Sequence, residues 1–297
     1  MPRLLNLGSL NLDLIYRIPH PLQPGETVAS HSLTHGAGGK GLNQSLAAAR
    51  AGVDVCHAGC VGPDGDGLRS LLAADRVDVS RVVRCDTAAT GHAIILVADS
   101  GENAIVLHGG ANHQIDPAGL EPMFAGFGPG DWFLTQNETS AVEAALRLAQ
   151  QRGLRIAFNP APMTAAVGST PLEGVSLLVI NEIEAAALAG MDDPDTALAE
   201  LCLRWPRTQV VITLGAAGAW SAGPQGMARA TPPRVQVVDT TAAGDTFIGY
   251  LLAALMRGEA IGPSLAHACR AAALSTTRPG AAASIPTASE VHAFTAP

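Results

Sequence analysis

The 297-residue chain has few aromatic and few charged side chains. Phe, Trp and Tyr together make up 4% of it and Asp, Glu, Lys and Arg 15%, whereas hydrophobic residues make up 47%. It also lacks an apolar run of roughly 20 residues, the length needed to span a bilayer. We therefore expect a tightly packed, soluble protein with a substantial core, neither disordered nor inserted in a membrane.

Basic residues are scarce as well. Lys and Arg number 18 against 26 Asp and Glu, which gives a formal net charge of -8 at pH 7. This balance argues against general binding to nucleic acid or to an anionic membrane, because both favour a face rich in Lys and Arg. The five cysteines are scattered and odd in number, which favours reduced thiols over a disulfide framework. With no recognisable secretory signal at the N-terminus, we expect a cytoplasmic protein.

Short apolar runs of strand length alternate with helical patterns along the chain. Fully apolar short strands between helices are typical of a parallel sheet covered on both faces. We therefore predict a doubly wound α/β fold with a mostly parallel sheet and helices on both faces. The predicted strands cover residues 4–8, 53–58, 131–134, 155–158, 177–180 and 210–214, and the predicted helices cover 43–50, 66–74, 141–151, 182–189, 244–256 and 265–276.

Two segments depart from this alternation. Residues 14–35 and 91–109 contain alternating or β-branched residues with no helical pattern, and the second has a turn signal at Ser100-Gly101. Strands inserted in this way usually form a small separate sheet, which is a candidate lid over a ligand. We expect a single domain over residues 1–297 with these segments as its lid, and a homodimer formed through the lid strands.

The run from Val235 to Gly249 carries the strongest chemical signal. We predict a strand over residues 235–239 that leads into small residues and then a long helix. Small residues allow a ligand to approach the backbone, and the first turn of a helix offers free N–H groups and a positive dipole end to an anion. Asp245 in this turn has two interpretations: a carboxylate that merely suits the helix dipole, or a proton acceptor in phosphoryl transfer.

Six short motifs follow one another along the chain. They are Gly8-Ser-Leu-Asn-Leu-Asp13, Gly36-Ala-Gly-Gly-Lys-Gly-Leu-Asn-Gln44, Asn181-Glu-Ile-Glu184, Thr213-Leu-Gly215 with Gly218, Asp239-Thr-Thr-Ala-Ala-Gly-Asp-Thr-Phe247 and Thr277-Arg-Pro-Gly280. In type and order they resemble the motifs of the ribokinase-like (PfkB) sugar kinases, and the resemblance covers nearly the whole chain. It implies an ATP-dependent kinase that phosphorylates the primary (5-) hydroxyl of a sugar, with D-ribose as the expected substrate.

The resemblance implies roles for individual residues. Asp245 would take the proton from the attacking hydroxyl, while the backbone N–H groups of Ala242, Ala243 and Gly244 would stabilise charge on the transferring phosphoryl group. The sugar hydroxyls would be held, besides Asp245, by Asn11, Asp13, Gly39, Lys40, Asn43 and Glu138. From the residues alone, Asn11 and Asp13 can also be interpreted as ordinary turn formers.

The resemblance also implies sites for ATP and for two cations. The nucleotide would be bound by Asn181, Glu184, Thr213, Gly215, Gly218, Gly244 and Cys269, although Cys269 stands where the family has Asn. Asn181 and Glu184 lie three apart at a helix start, so they would either address a hydrated Mg²⁺ or form an ordinary solvated helix start. A K⁺ ion beside the anion site would be bound, mostly by backbone oxygens, by Asp239, Thr241, Ser275, Arg278, Gly280 and Ser284.

Three other patterns are interpreted as structural. Residues 36–41 satisfy G-x-G-x-x-G but do not directly follow the first strand, and Lys40 is not followed by the Ser or Thr of a P-loop. Residues 56–60 contain two cysteines and a histidine on a predicted buried strand, which favours packing over a metal site. Residues 64–67 lack the closing Glu of a calcium loop.

Alternative functions stay open at this point. The nearest is a kinase of another sugar or of a nucleoside on the same fold, although the lid segments offer few aromatic residues beyond Tyr16 to contact a nucleobase. A non-catalytic sugar-binding protein is the alternative from a different class, since a fold does not fix a function. The presence of Asp245 and Lys40 argues against it.

Overall fold

The computed structural model describes residues 2–164, 167, 170 and 172–295. Its strands are β1 (Leu4–Leu7), β2 (Asn11–Ile18), β3 (Ser32–Gly38), β4 (Val55–Val61), β5 (Asp78–Arg84), β6 (Gly91–Ala98), β7 (Asn103–His108), β8 (Trp132–Gln136), β9 (Arg155–Asn159), β10 (Val175–Asn181), β11 (Gln209–Thr213), β12 (Ala219–Ala222) and β13 (Ala228–Ala230). Its α-helices are α1 (Lys40–Arg50), α2 (Asp66–Ala74), α3 (Leu120–Met123), α4 (Val142–Gln151), α5 (Glu182–Ala189), α6 (Pro194–Arg204), α7 (Ala243–Met256), α8 (Ile261–Ser275) and α9 (Ala288–Ala293).

Nine strands form the main sheet, in the order β13-β12-β11-β10-β9-β8-β1-β4-β5. All neighbours pair in parallel except β11 with β12 and β12 with β13, which are antiparallel. The chain moves from β1 toward β5 on one side and later from β8 toward β13 on the other. The order therefore reverses next to β1, and the crevice outside the carboxyl ends of the strands at such a reversal is where ligands bind in doubly wound folds.

Alternate residues of the strands pack on opposite faces of this sheet. One core cluster contains Leu4 with residues of α1, α2, α7, α8 and α9. The other contains Leu5 and Leu7 with residues of α3, α4, α5 and α6. The predicted doubly wound α/β architecture is confirmed, because helices cover both faces as continuous apolar strands require. Within the described part of the chain, no helix has both the length and the apolar character needed to cross a bilayer.

A second, four-stranded sheet has the order β3-β2-β6-β7. Strand β2 pairs in parallel with β6, while β2–β3 and β6–β7 are antiparallel pairs. The β6–β7 hairpin turns at Ser100-Gly101 as predicted, with Gly101 at a φ of +89°. Only three residues separate the end of β1 from the start of β2, so this sheet adjoins the carboxyl end of β1.

The strand predicted over residues 235–239 is absent, and this prediction was wrong. The segment is irregular in the structure, and its Val238 and Asp239 N–H groups both donate to the carbonyl of Thr276 at the end of α8. Val237 and Val238 are exposed. The segment does contain the β-branched residues that are typical of strands. A strand, however, forms only where another strand can pair with it, and this segment bonds to the end of a helix instead.

Candidate active site

Asp245 lies in the first turn of α7, which begins where the chain bends sharply at Ala242, a residue with a left-handed φ of +60°. The side chain is only 9% exposed. Burial raises the pKa of Asp245 above its ordinary value, and the charge of Lys40 together with hydrogen bonds from Gln44 and Asn43 counters part of this rise. A buried carboxylate of raised pKa is suited to accepting a proton near neutral pH.

The start of α7 also presents free N–H groups. Among the described residues, the backbone N–H groups of Ala242, Gly244 and Asp245 have no acceptor, whereas that of Ala243 donates to the carbonyl of Thr240 at 3.2 Å. Free N–H groups and the positive end of a 14-residue helix favour an anion at this point.

Close backbone packing fixes the start of α1 against the end of β1. Gly39 has a φ of +93°, and a Cβ atom there would lie 2.8 Å from the carbonyl oxygen of Ser9. A Cβ atom on Gly41 would lie 2.3 Å from the backbone nitrogen of Ser9. The Gly-Gly-Lys-Gly run is thus needed for this approach, which delivers Lys40 and Asn43 to the crevice beside β1.

Lys40 is surrounded by carboxylates. Its Nζ lies 3.9 Å from Oε1 of Glu138, and its backbone N–H donates to Oε2 of the same residue at 3.1 Å. Burial lowers the pKa of Lys40, but the negative charges of Asp245, Glu138 and Glu184 outweigh this effect and raise the pKa. Lys40 is therefore charged at neutral pH and faces the residues that the sequence motifs predicted as sugar, base and nucleotide contacts.

Asn11 and Asp13 lie on β2 of the smaller sheet. The side-chain oxygen of Asn11 accepts a hydrogen bond of 2.8 Å from Asn112, which also bonds both backbone groups of Leu10. The Asp13 carboxylate lies against Gly38 on β3, where a Cβ atom would overlap it. Burial, and then the charge of Glu138, raises the pKa of Asp13 to about 6.

Two cavities meet beside the start of α7. The smaller has a volume of about 180 Å³ and is lined by Lys40, Asn159, Ala161, Val179, Ile180, Asn181, Glu184, Thr213, Ala242, Gly244, Asp245 and Ile248. The larger, of about 540 Å³, has a mostly apolar lining that includes Thr213, Gly215, Gly218, Val235, Val237, Gly244, Phe247 and Cys269. They share Thr213 and Gly244. The irregular segment that replaces the predicted strand thus contributes apolar side chains to the larger cavity.

Asn181 and Glu184 form a capping box at the start of α5. The Asn181 side chain accepts from the Glu184 N–H at 2.8 Å, and Glu184 Oε2 accepts from the Asn181 N–H at 2.9 Å. Burial raises the pKa of Glu184, although the hydrogen bond from the Asn181 N–H and the charge of Lys40 both act to lower it. Both residues therefore cap the start of α5 and also line the smaller cavity.

Asp239 joins two loops beside the anion-favouring helix start. Its Oδ1 accepts from the N–H and the hydroxyl of Thr241 at 2.9 and 2.6 Å, and its Oδ2 accepts from the Gly280 N–H at 2.8 Å. Arg278 and Ser275 belong to the same turn, since the Arg278 N–H donates to the Ser275 carbonyl at 3.2 Å. The hydroxyl of Ser284 donates instead to the carbonyl of Ala281, and no hydrogen bond links Ser284 to Asp239 in the described part of the chain.

Several polar residues that support these groups were not predicted from the sequence. Ser9 donates to Glu138 at 2.5 Å, and Asn112 holds Asn11. Gln44 donates to Asp245 at 2.9 Å. A further three amides, Asn6, Gln136 and Asn159, stand in or at the ends of buried strands. These three amides could have been found from the sequence, because a polar residue within or at the end of an apolar strand indicates a buried hydrogen-bonded group.

The cysteine–histidine run of residues 56–60 lies in β4, whose residues are all buried, as predicted. His57 is fully buried, and burial lowers its pKa to about 4. No group of three or more His, Cys, Asp and Glu side chains suited to a metal ion occurs in the ranges that the structure describes.

A buried carboxylate and free N–H groups meet at the start of α7, beside two adjoining cavities at the carboxyl ends of a doubly wound sheet. This arrangement suits an enzyme that transfers an anionic group. The family model described as pfkB family carbohydrate kinase matches residues 1–288, and the chain belongs to this family. The resemblance inferred from the motifs is thereby confirmed, as is the assignment of the protein to the carbohydrate kinases.

Individual relatives agree with this assignment. A ribokinase of Haemophilus influenzae is 35% identical over 97% of this chain and 96% of its own. The crystal structure of ribokinase from Cryptococcus neoformans var. grubii serotype A in complex with ADP is 34% identical, covers 98% of this chain and 99% of its own, and superposes with a TM-score of 0.84. The structure of Arabidopsis thaliana ribokinase complexed with ribose and ATP has 26% identity, 99% coverage of both chains and a TM-score of 0.87.

Proposed function

We propose that this protein is an ATP-dependent kinase that transfers the γ-phosphate of ATP to the primary 5-hydroxyl of D-ribose. The observation that carries the proposal is the position of Asp245, buried at the start of α7 and hydrogen-bonded to Asn43, where the two cavities meet. The names of relatives over the full length of the chain, one of them complexed with ribose and ATP, support the choice of substrates.

The sugar would lie between the start of α1 and the smaller sheet. Asn11, Asp13, Lys40, Asn43 and Glu138 would bind its hydroxyls, with Gly39 allowing close approach. Asn43 supports this role, because its buried Oδ1 has no hydrogen-bond partner within the described residues and suits a hydroxyl donor. Rejecting other sugars requires such groups, which are left unpaired when the matching hydroxyl is missing.

Asp245 would act as the general base. Its raised pKa gives it the affinity to take the proton of the attacking hydroxyl, and Lys40 nearby would offset the negative charge that accumulates. The free N–H groups of Ala242 and Gly244 would then stabilise the transferring phosphoryl group. We include Ala243 in this anion hole, where its N–H would exchange the carbonyl of Thr240 for a phosphate oxygen.

The nucleotide would occupy the larger cavity. Its mostly apolar lining suits a purine ring, and Gly215 and Gly218 follow β11 where the backbone comes close. Cys269 lines this cavity, with its thiol 3.8 Å from the carbonyl of Ala230. A thiol is a weak hydrogen-bond donor, so we propose that Cys269 packs against the base rather than reading its polar edge.

Asn181 and Glu184 fit a hydrated Mg²⁺. Glu184 is a buried carboxylate that uses one oxygen, Oε2, in the capping box, and its other oxygen has no hydrogen-bond partner among the described residues that line or surround the cavity. Mg²⁺ keeps several waters and usually binds few carboxylates together with substrate phosphates. When bound, the ion would neutralise phosphate charge during transfer.

The loops joined by Asp239 fit a K⁺ ion. Hydrogen bonds from Thr241 and Gly280 engage both oxygens of the Asp239 carboxylate, and they lower its pKa although burial raises it. This bracing would leave backbone oxygens of Asp239, Thr241, Gly280 and the neighbouring positions to bind the cation. We retain Ser275, Arg278 and Ser284 in this proposed set through their backbones.

We further propose that residues 1–297 form one kinase domain, with β2, β3, β6 and β7 acting as a lid. The lid sheet exposes Leu33, Ile105, Val106 and Leu107, which is unusual for edge strands that stay unpaired. A homodimer formed through this sheet would cover them. All five cysteines are free thiols, in keeping with a cytoplasmic location.

An assay of ADP formation across pentoses, hexoses and nucleosides tests the proposed function. We expect the highest kcat/KM with D-ribose and a product phosphorylated at the 5-position, as identified by NMR. A higher kcat/KM with another sugar or a nucleoside would show that the protein is a kinase whose preferred substrate is not ribose. Binding of a sugar without turnover of ATP would favour a non-catalytic sugar-binding protein.

A further inference from the structure

A row of buried amide side chains runs beneath Asp245 on the α1 side of the main sheet. Gln44, which is fully buried, donates from Nε2 to Asp245 Oδ1 at 2.9 Å and to Asn159 Oδ1 at 3.1 Å. Gln136 donates to Gln44 Oε1 at 2.8 Å and to Asn6 Oδ1 at 3.0 Å. Asn6 in turn donates to the carbonyl of Gly41 and to the hydroxyl of Ser45, both at 2.8 Å.

These bonds allow only one orientation of the Gln44 amide. Its Oε1 is held by the Gln136 amide nitrogen, and its nitrogen faces two oxygens, those of Asp245 and Asn159. A flipped Gln44 would place its oxygen against those two acceptors and its NH₂ against the NH₂ of Gln136. Such a flip would leave several buried polar atoms unpaired, which is costly.

The two oxygens of Asp245 therefore accept hydrogen bonds from donors of different kinds. Oδ1 accepts from Gln44, which belongs to the locked row. Oδ2 accepts at 3.0 Å from Asn43, whose other amide atom, Oδ1, has no hydrogen-bond partner within the described ranges. Asn43 thus keeps a spare acceptor for a ligand, whereas both amide atoms of Gln44 are engaged.

We propose that Gln44 is the positioning residue of Asp245: locked by Gln136 and Asn6, it holds Oδ1 as an acceptor and leaves Oδ2 as the oxygen that takes the proton of the sugar hydroxyl. This inference rests on the proposed role of Asp245 as general base. Gln44 is fully buried and lines neither of the two cavities. It acts by fixing the orientation of the carboxylate and by stabilising its charged form.

Other charged groups also face Asp245 and set the background for a pH experiment. Lys40 on α1 stabilises the charged carboxylate, whereas Glu138 after β8 opposes it. Glu184 on α5 acts on Lys40. None of these groups changes when Gln44 is substituted, so a change in the titration of Asp245 originates at position 44.

Gln44→Glu is the first variant, because it keeps the shape of the side chain, removes the donor and places a second carboxylate against Asp245. Two adjacent carboxylates resist joint ionisation, so we expect the acid limb of the kcat profile to move to higher pH by about one unit or more. We expect kcat at pH 7 to fall about tenfold or more and to recover at high pH, while KM for ATP stays unchanged. A fall in kcat that is constant across pH would overturn the proposal.

Two further variants separate positioning from folding. Gln136→Met leaves Gln44 in place but frees its orientation, and we expect a smaller shift of the acid limb in the same direction. If Gln44→Glu does not fold, an unshifted profile in Gln136→Met overturns the proposal by itself. Gln209→Glu is the matched control, since Gln209 is an equally buried amide that donates to Ser221 and Gly226 on the far edge of the sheet. Gln209→Glu should lower the stability of the protein without shifting the pH dependence of kcat.

A titration that needs no turnover distinguishes failure of this inference from failure of the proposed function. In protein with ¹³C-labelled aspartate carboxyls, the resonance lost in Asp245→Asn identifies Asp245. Its pKa should be higher in Gln44→Glu than in the wild type, and equal values would contradict the positioning role. Absence of kinase activity in the wild type would instead contradict the proposed function and leave the titration valid.

Discussion

Asn43 donates a hydrogen bond of 3.0 Å to Asp245, although 202 positions separate the two residues in the chain. The bond joins the first turns of α1 and α7, so that a residue proposed to bind the sugar contacts the residue proposed to take its proton. Any movement of Asn43 toward a sugar hydroxyl would release one oxygen of Asp245 at the moment when substrate arrives. Sugar binding and exposure of the proposed base would thereby be linked through one amide.

Replacing Asp245 with Asn should abolish most turnover and spare nucleotide binding. A general base contributes about 10² to 10⁴-fold to a rate, and we expect kcat to fall by that order with ADP affinity close to that of the wild type. Steady-state kinetics and calorimetric titration with ADP measure the two quantities. Asp66→Asn is the control, because Asp66 occupies the equivalent first turn of α2 at the surface; near-normal kcat in Asp245→Asn would refute its role as base.

Gly39→Ala should destabilise the protein and weaken sugar binding. The new Cβ atom would meet Ser9 at 2.8 Å in a left-handed conformation, and such strain costs about 1–3 kcal/mol. Gly67→Ala is the matched control in α2, where a Cβ atom meets nothing within 4 Å and alanine should add about 0.5–1 kcal/mol. Urea unfolding of both variants checks the opposite signs; equal effects would contradict the packing argument.

Sugar affinity should fall in acid because of Asp13. Its pKa of about 6, against an ordinary 3.8, means that the folded protein binds more protons than the unfolded chain between these values. The contribution of Asp13 to stability therefore decreases as pH rises through that window. Sugar hydroxyls that donate to the carboxylate favour its charged form, so we expect ribose to bind more weakly at pH 5 than at pH 7. Calorimetry of Asp13→Asn should show weaker binding with most of this difference gone, and an unchanged difference would exclude Asp13 as its source.

Val106→Lys should convert the proposed dimer into a monomer. Val106 is 63% exposed on the edge strand β7, and a charge at the centre of an apolar contact opposes association. Leu203→Lys serves as the control, since Leu203 on α6 is 79% exposed but lies outside the lid. Light scattering coupled to size exclusion measures the mass of each variant. A monomeric wild type would contradict the dimer itself.

Turnover should require a small monovalent cation. With K⁺ replaced by tetramethylammonium at equal ionic strength, kcat should fall, because the loops joined by Asp239 and Gly280 would lose the ion that orders them beside the anion hole. Asp239→Asn should show the same loss in K⁺, since its carboxylate braces these loops. Equal kcat in the two salts would refute the cation site.

The sequence predicted most of the fold because its strands are short, apolar and separated by helical patterns. Helix α5 has the predicted bounds, whereas α8 begins four residues before the predicted start because Pro263 is tolerated in a first turn. Strand β5 was missed, since its exposed polar positions give it no continuous apolar run. The edge strands β12 and β13 are too short to give a periodic signal.

What the sequence alone determined is therefore the class of fold, the family and the identity of the residues in its motifs, because local patterns and short runs carry that information. The tertiary structure decided which atoms of those residues meet. Residues 235–239 form an irregular segment in place of the predicted strand, and its Val235 and Val237 line the larger cavity. Asn43 is paired with Asp245, and Gln44, Gln136 and Asn6 come together beneath the carboxylate. These contacts join strands and helices distant in the chain, and only the packing of α1 and α7 on one sheet brings them within hydrogen-bonding distance.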